Sequence, residues 1–296
     1  MGTRTGAVTL RSADLDVLLS FSKKPSQQLI RTMATSNGLG LKGKVAIITG
    51  ATSGIGRGCA VDLAREGCYI AITGRNVSAL QEVSKLCYEA GVPEGKVLSL
   101  EADLSKDEDC KRVVSSTKSH FDRIDILVNS AGILTPGGIE KLTVEQYDLQ
   151  MNINTRSVFL MMKLALPHLL ETKGNIVNIS SVTGLRAFPG VVAYNMSKAA
   201  VDQLTRSVAL EVAERGVRVN AVNPGVIVTE VHKRGGMSEE DYKKFLEHGK
   251  TTHAMGRVGE VEEVSRAVVF LASDNASFIT GVTLPIDGGR SIMCPR

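Results

Sequence analysis

Residues 45–56 read Val45-Ala46-Ile47-Ile48-Thr49-Gly50-Ala51-Thr52-Ser53-Gly54-Ile55-Gly56. A short β-branched run comes first, then a turn holding Gly50, Gly54 and Gly56, then a stretch over 56–67 with apolar residues at helical spacing. A run with no polar alternation suits a strand covered on both faces. Glycines let the turn close tightly and let the backbone approach a pyrophosphate, and the helix that follows aims its unpaired N–H groups and positive dipole end at the same place. An ordinary strand–helix loop shares this look, and the spacing departs from the common G-x-G-x-x-G fingerprint. The strand–turn–helix context favours a dinucleotide site, with Thr52, Ser53 and Ile55 inside the turn.

Working outward, comparable runs fall at 69–73, 97–100, 126–129, 175–180, 217–222 and 282–286. Helix-length segments lie between them, among them 158–170 and 199–212. Alternating strands and helices predict an α/β fold, a doubly wound parallel sheet of seven strands with helices on both faces and right-handed crossovers. One domain over 41–296 holds the whole pattern. Pro285 lacks a ladder N–H and predicts an edge strand for 282–286. Residues 1–40 are Ser- and Thr-rich with no clean period, and Met33 offers a second start. They read as an N-terminal extension. For 1–32 three readings stand open: a disordered or loosely docked tail, a leader, and a basic, Ser-rich mitochondrial transit peptide.

Composition narrows the class. The chain has 296 residues, 43% hydrophobic and 22% charged, which excludes general disorder and coiled coil. Net charge is 35 − 31 = +4 with no clustered basic patch, which argues against a nucleic-acid partner. The longest apolar stretch, 158–170, is broken by Lys163 and His168 and is too short to span a membrane. The five cysteines include no C-x-x-C pair, so neither a metal site nor a disulfide framework is expected, and a reducing, cytoplasmic setting fits, with the mitochondrion as the alternative.

The second strand runs into Thr73-Gly74-Arg75-Asn76, with no acid to bind a ribose 2′-hydroxyl. Arg75 suits a 2′-phosphate instead, so NADP(H) is preferred over NAD(H). Asp103-Leu104 follows the third strand, and Asn129-Ser130-Ala131-Gly132 closes the fourth with small residues that permit close ligand approach. Tyr194 and Lys198 are four apart and share a helix face. An ammonium beside a phenol, helped by a bound nicotinamide's positive charge, favours the phenolate, and reaching a pKa near 7 from about 10 needs roughly 4 kcal/mol. Tyr-x-x-x-Lys alone is common. Ser181, just past the fifth strand, faces the same crevice, and Asn154 in a helical stretch is unfavourable enough to hint at a task such as holding a water.

Gly50-xxx-Gly54-x-Gly56, Asn129-Ser130-Ala131-Gly132, Asn154, Ser181, Tyr194-xxx-Lys198 and Asn223-Pro224-Gly225 together resemble the short-chain dehydrogenase/reductase family over about residues 41–290. The chain looks most similar to its oxoacyl-carrier reductase and carbonyl reductase branch. Ser130 departs from a usual second Asn, and Pro285 from a usual Val. The resemblance implies a Rossmann-type domain. Tyr194 would be the general acid/base, Lys198 would bind the nicotinamide ribose and lower the tyrosine pKa, Ser181 would orient a carbonyl, and Asn154 would sustain a water relay. Asn129 would lie by the adenosine ribose and Asp103 by the adenine. Ile227 and Thr229, after Pro224-Gly225, would touch the carboxamide. A homodimer or homotetramer is implied as well.

The expected activity is NADPH-dependent reduction of a ketone or aldehyde. The alternatives are an NAD-dependent secondary alcohol dehydrogenase and a weakly active nucleotide sensor. Segment 231–259 reads as a lid, with Gly235-Gly236 and Gly249 as hinges and the helix 238–247 as flap. Leu185, Phe188, Val191 and Val192 predict an apolar pocket wall, hence a partly apolar carbonyl substrate. His232, His248 and His253 read as solvated.

Overall fold

The computed structural model describes residues 38–294. The readings of 1–32 as tail, leader or transit peptide lie outside the described residues. Seven strands form one sheet: β1 (Val45–Thr49), β2 (Tyr69–Gly74), β3 (Val97–Glu101), β4 (Ile126–Asn129), β5 (Asn175–Ile179), β6 (Arg218–Pro224) and β7 (Thr283–Ile286). Their order is β3-β2-β1-β4-β5-β6-β7, and every pairing is parallel. The chain is a doubly wound α/β domain of Rossmann type, and its strand order reverses between β1 and β4.

The pleat explains why helices cover both faces. Ala46 and Ile48 of β1 pack into one core with α1 (Gly54–Arg65), α2 (Val77–Glu89) and α10 (Val261–Ala272). Ile47 between them points into the other core, with α3 (Asp107–Phe121), α5 (Ser157–Thr172) and α7 (Val192–Val212). Both isoleucines are fully buried, each worth about 1.5–3 kcal/mol of transfer free energy. Leu41 is buried and Leu39 packs beside it, so ordered packing begins at least two residues before the expected boundary of 41.

Pro285 does lie in an edge strand, and the β6–β7 register runs straight through it, Asn223 opposite Pro285 and Pro224 opposite Ile286. The first helix starts at Gly54 rather than 56, because the glycine turn itself supplies the first helical residues. Between α4 (Val144–Met151) and α5 the backbone widens into a π-helical turn, Asn152–Arg156. Such turns often mark functional sites. This one carries Asn154. The remaining short helices are α6 (Val182–Leu185), α8 (Val231–Arg234) and α9 (Glu239–Thr252).

Candidate active site

The residues following strands β1 to β6 border one cleft of about 900 Å³. Its wall includes Gly50, Thr52, Ser53, Gly54, Ile55, Gly56, Arg75, Asp103, Leu104, Ala131 and Gly132. Farther along the chain it includes Ser181, Tyr194, Lys198, Pro224, Gly225, Ile227 and Thr229.

Two of the expected catalytic and cofactor-binding residues do not line it. Asn129 is buried, and its Nδ2 donates to Asn178 Oδ1 at 2.9 Å, so it ties β4 to β5 instead of reaching a ribose. Asn154 is wholly buried behind the cleft. Its Oδ1 accepts from the N–H of Ile133 at 2.8 Å and its Nδ2 donates to the same residue's carbonyl at 2.9 Å. The amide therefore fixes the backbone of a cleft residue, and both its polar atoms are engaged within the protein.

The glycine turn has the features a diphosphate needs. Gly50 has φ +63°, and a Cβ there would stand 2.7 Å from Ala131 Cα, so the turn presses against the end of β4. Ser53 at the N-cap of α1 makes no side-chain capping bond and no acid occupies the first turn, which leaves the helix end open to an anion. Thr73 Oγ1 is buried on the cleft wall with no partner among the described residues. Ser105 holds Asp103 through its hydroxyl at 2.8 Å. Burial pushes the Asp103 pKa up, but the Ser105 hydroxyl and N–H, with the charges of Arg75 and Lys106, outweigh it and the net shift is down. Arg75 stands exposed at the rim beside this carboxylate. The residues present thus fit a nicotinamide dinucleotide, with the phosphates at the glycine turn.

Tyr194 and Lys198 sit on the first turns of α7, with the Lys198 ammonium 5.6 Å from the centre of the tyrosine ring. The Ser181 hydroxyl accepts from Thr183 N–H at 3.1 Å, capping α6, and shares the cleft wall with the Tyr194 phenol. Capping and catalysis are compatible because the capping bond uses an oxygen lone pair and leaves the O–H free. Lys198 Nζ donates to Ile179 C=O at 2.8 Å. Burial pushes Tyr194 up to about 12, and the Ser181 hydroxyl offsets only part of that. Burial also lowers Lys198 to about 8, with Asp202 opposing. The protein groups alone therefore keep the phenol protonated at neutral pH.

Two buried residues escaped the sequence reading. Asp202 lies one turn beyond Lys198, and Asn223 Nδ2 donates to its carboxylate at 2.9 and 3.1 Å. It couples α7 to the end of β6 and shifts Lys198 electrostatically; the i, i+4, i+8 spacing of Tyr194, Lys198 and Asp202 was its signal. His253, expected in solvent, is buried. Its Nε2 accepts from Val226 N–H at 3.1 Å, which leaves the proton on Nδ1, facing Gly249 C=O at 2.7 Å. It thus props the loop bearing Ile227 and Thr229. His232 is partly buried against Phe245, and only His248 is exposed. Gly249 is no hinge. It lies inside α9, where a Cβ would meet Val258 Cγ1 at 2.5 Å. Of the expected apolar wall, Phe188 and Val191 line the cleft, whereas Leu185 and Val192 do not.

A dinucleotide turn, a phenol and an ammonium meeting in one cleft define an oxidoreductase of the nucleotide-binding α/β class. A family model described as Enoyl-(Acyl carrier protein) reductase matches residues 50–291. The 3-oxoacyl-[acyl-carrier-protein] reductase FabG of Thermotoga maritima is 38% identical over 253 residues, 85% of this chain and 99% of that protein. Meso-2,3-butanediol dehydrogenase of Serratia marcescens is 35% identical over 248 residues, 84% and 94% of the two chains. A crystal structure of a short-chain dehydrogenase/reductase of unknown function from Caenorhabditis elegans, with cofactor, superposes with a TM-score of 0.82 at 36% identity, over 86% of this chain and 97% of that one. The chain belongs to the short-chain dehydrogenase/reductase family of oxidoreductases.

Proposed function

We propose that this protein reduces a ketone or aldehyde to an alcohol with NADPH. The observation that carries the reading is the meeting of Ser181, Tyr194 and Lys198 on the wall of one cleft that fits a dinucleotide. When bound, reduced nicotinamide would supply the hydride. Ser181 holds the carbonyl oxygen, and Tyr194 delivers the proton to it. A phenol held at about 12 is almost fully protonated at neutral pH, the form that gives up a proton in reduction. Alcohol oxidation needs the phenolate and so quickens as pH rises. Lys198 takes the nicotinamide ribose, Ile227 and Thr229 the carboxamide, and Asn154 keeps the Ile133 backbone in place beside the reacting groups.

The preference for NADPH rests on Arg75, in a wall whose only acid among the described residues is Asp103. We further propose that residues 41–296 form the catalytic domain and assemble as a homodimer or homotetramer in the cytoplasm.

The direct test mixes purified protein, NADPH and a panel of ketones and aldehydes and follows absorbance at 340 nm, repeated with NADH. Carbonyl-dependent loss with NADPH, faster than with NADH, is the expected result. NADPH left unconsumed by every carbonyl, or equal affinity for the two nucleotides, would overturn the corresponding part of the reading.

A further inference from the structure

The cleft is charged unevenly. Its wall carries Arg75, Arg186, Lys198, Arg234 and Arg290 against the single carboxylate of Asp103. Arg75 and Asp103 face each other across the ends of β2 and β3, and Arg234 donates to Ser53 Oγ at 2.9 Å, beside the glycine turn. These groups belong to the cofactor end. Lys198 belongs to the catalytic set. Arg290 has no such assignment.

Arg290 follows the turn after β7 and stacks its guanidinium on Phe188, 4.8 Å from the ring centre. Phe188 precedes Tyr194 by six residues and lines the same cleft. Arg290 is partly buried, yet no carboxylate among the described residues lies within 4 Å of it. The nearest candidate, Asp287, is spent on its own turn, accepting from Gly289 N–H at 3.0 Å and Ser291 N–H at 2.6 Å. One bond holds the guanidinium, Nη1 to Thr252 Oγ1 at 2.9 Å, and Nε is buried without a partner. Arg186 stiffens this corner by donating to the carbonyls of Ser291 at 2.9 Å and Met293 at 3.0 Å, which pins the backbone just after Arg290. A planar five-donor cation, preorganised on an aromatic face and left with no carboxylate among the described residues in direct contact, Asp287 acting on it only through its charge, is built to receive a carboxylate. Burial without an anion is unfavourable for the group, and bringing one in removes that penalty.

We infer that the substrate is an oxo acid: a carbonyl compound whose carboxylate pairs with Arg290 while its carbonyl meets Ser181 and Tyr194. This deepens the carbonyl-reduction reading and rests on it. In the reaction the C=O gains a hydride from the reduced nicotinamide and a proton from Tyr194; the carboxylate is unchanged, and a hydroxy acid and the oxidised nucleotide leave. Phe188 and Val191 on the wall fit an aliphatic chain between the two groups.

The test compares oxo acids of increasing length, from 2-oxobutanoate to 5-oxohexanoate, with their methyl esters, reading kcat/KM for NADPH consumption and the thermal shift each ligand gives the NADP-loaded protein. At one chain length the acid should exceed its ester by about 10- to 100-fold, the worth of a charge-assisted hydrogen-bond pair. Arg290→Gln should collapse that ratio to near one, and Arg290→Lys should restore part of it. A wild-type ratio at or below one at every length, or a ratio unmoved by Arg290→Gln, would overturn the inference. Tyr194-dependent reduction of the esters with no acid preference removes this inference and leaves carbonyl reduction standing. An Arg290-dependent thermal shift with the acids, without reduction of any of them, overturns the carbonyl-reduction reading and the oxo-acid substrate with it, and leaves Arg290 only as a carboxylate-binding group.

Discussion

The turn after β1 and the segment 231–259 border the same cleft and are held by different means. The turn is set by backbone geometry: a glycine at positive φ pressed on the end of a neighbouring strand, with the open end of α1 behind it. The segment is set by side chains reaching across long loops. Tyr242 donates its hydroxyl to Thr229 C=O at 2.9 Å, and His253 accepts from Val226 N–H. The first kind of site is written in consecutive residues, whereas the second depends on which distant backbone a side chain meets.

That contrast can be broken by substitution. Gly50→Ala should have the largest effect. Left-handed backbone costs about 1–2 kcal/mol for alanine and the contact with Ala131 adds about 1–3. Stability should fall by about 3 kcal/mol, seen as a Tm drop of about 6–12 °C. A change under about 2 °C would mean that the turn is not constrained as described.

Arg75→Ala should weaken NADPH binding about 10- to 100-fold and leave NADH within about twofold, the loss of one charged phosphate contact, measured by fluorescence titration. Equal losses for both nucleotides would remove Arg75 from phosphate recognition.

Gly249→Ala separates a packing glycine from a hinge. Its Cβ would crowd Val258, so a loss of about 1–3 kcal/mol in thermal stability is expected. Unchanged Tm with a reduced kcat would instead restore the hinge.

The smallest effect is a pH dependence. Burial lowers the pKa of His253 below the usual 6.5, so the unfolded chain takes up a proton before the folded one does. The stability involved is fully present above 6.5 and is lost progressively as pH falls toward the folded value. Tm should therefore decline below pH 6.5, and His253→Gln should flatten the decline in differential scanning fluorimetry. An identical pH profile in the variant would place His253 outside the linkage.

The fold was legible because strands buried on both faces need unbroken apolar runs, and 45–49 and 126–129 have them. The cleft wall was legible where it follows a strand directly, as at Gly50, Arg75 and Gly132. Asn129 was misplaced because a polar residue at a strand end can turn toward ligand or sheet, and only the position of Asn178 decides. His253 and Gly249 were misread because Val226 and Val258, which enclose them, are distant or unrecognisable as partners in sequence. The desolvation of the Tyr194 phenol was hidden for a related reason: spacing reveals the nearby ammonium but not the depth of burial.

Proton delivery by Tyr194 is tested most directly in a single turnover of the NADPH-loaded protein with a saturating ketone, wild type against Tyr194→Phe. The phenol's removal should slow NADPH oxidation by about 10²- to 10⁴-fold while NADPH affinity changes little. Equal rates in the two proteins would contradict the assignment.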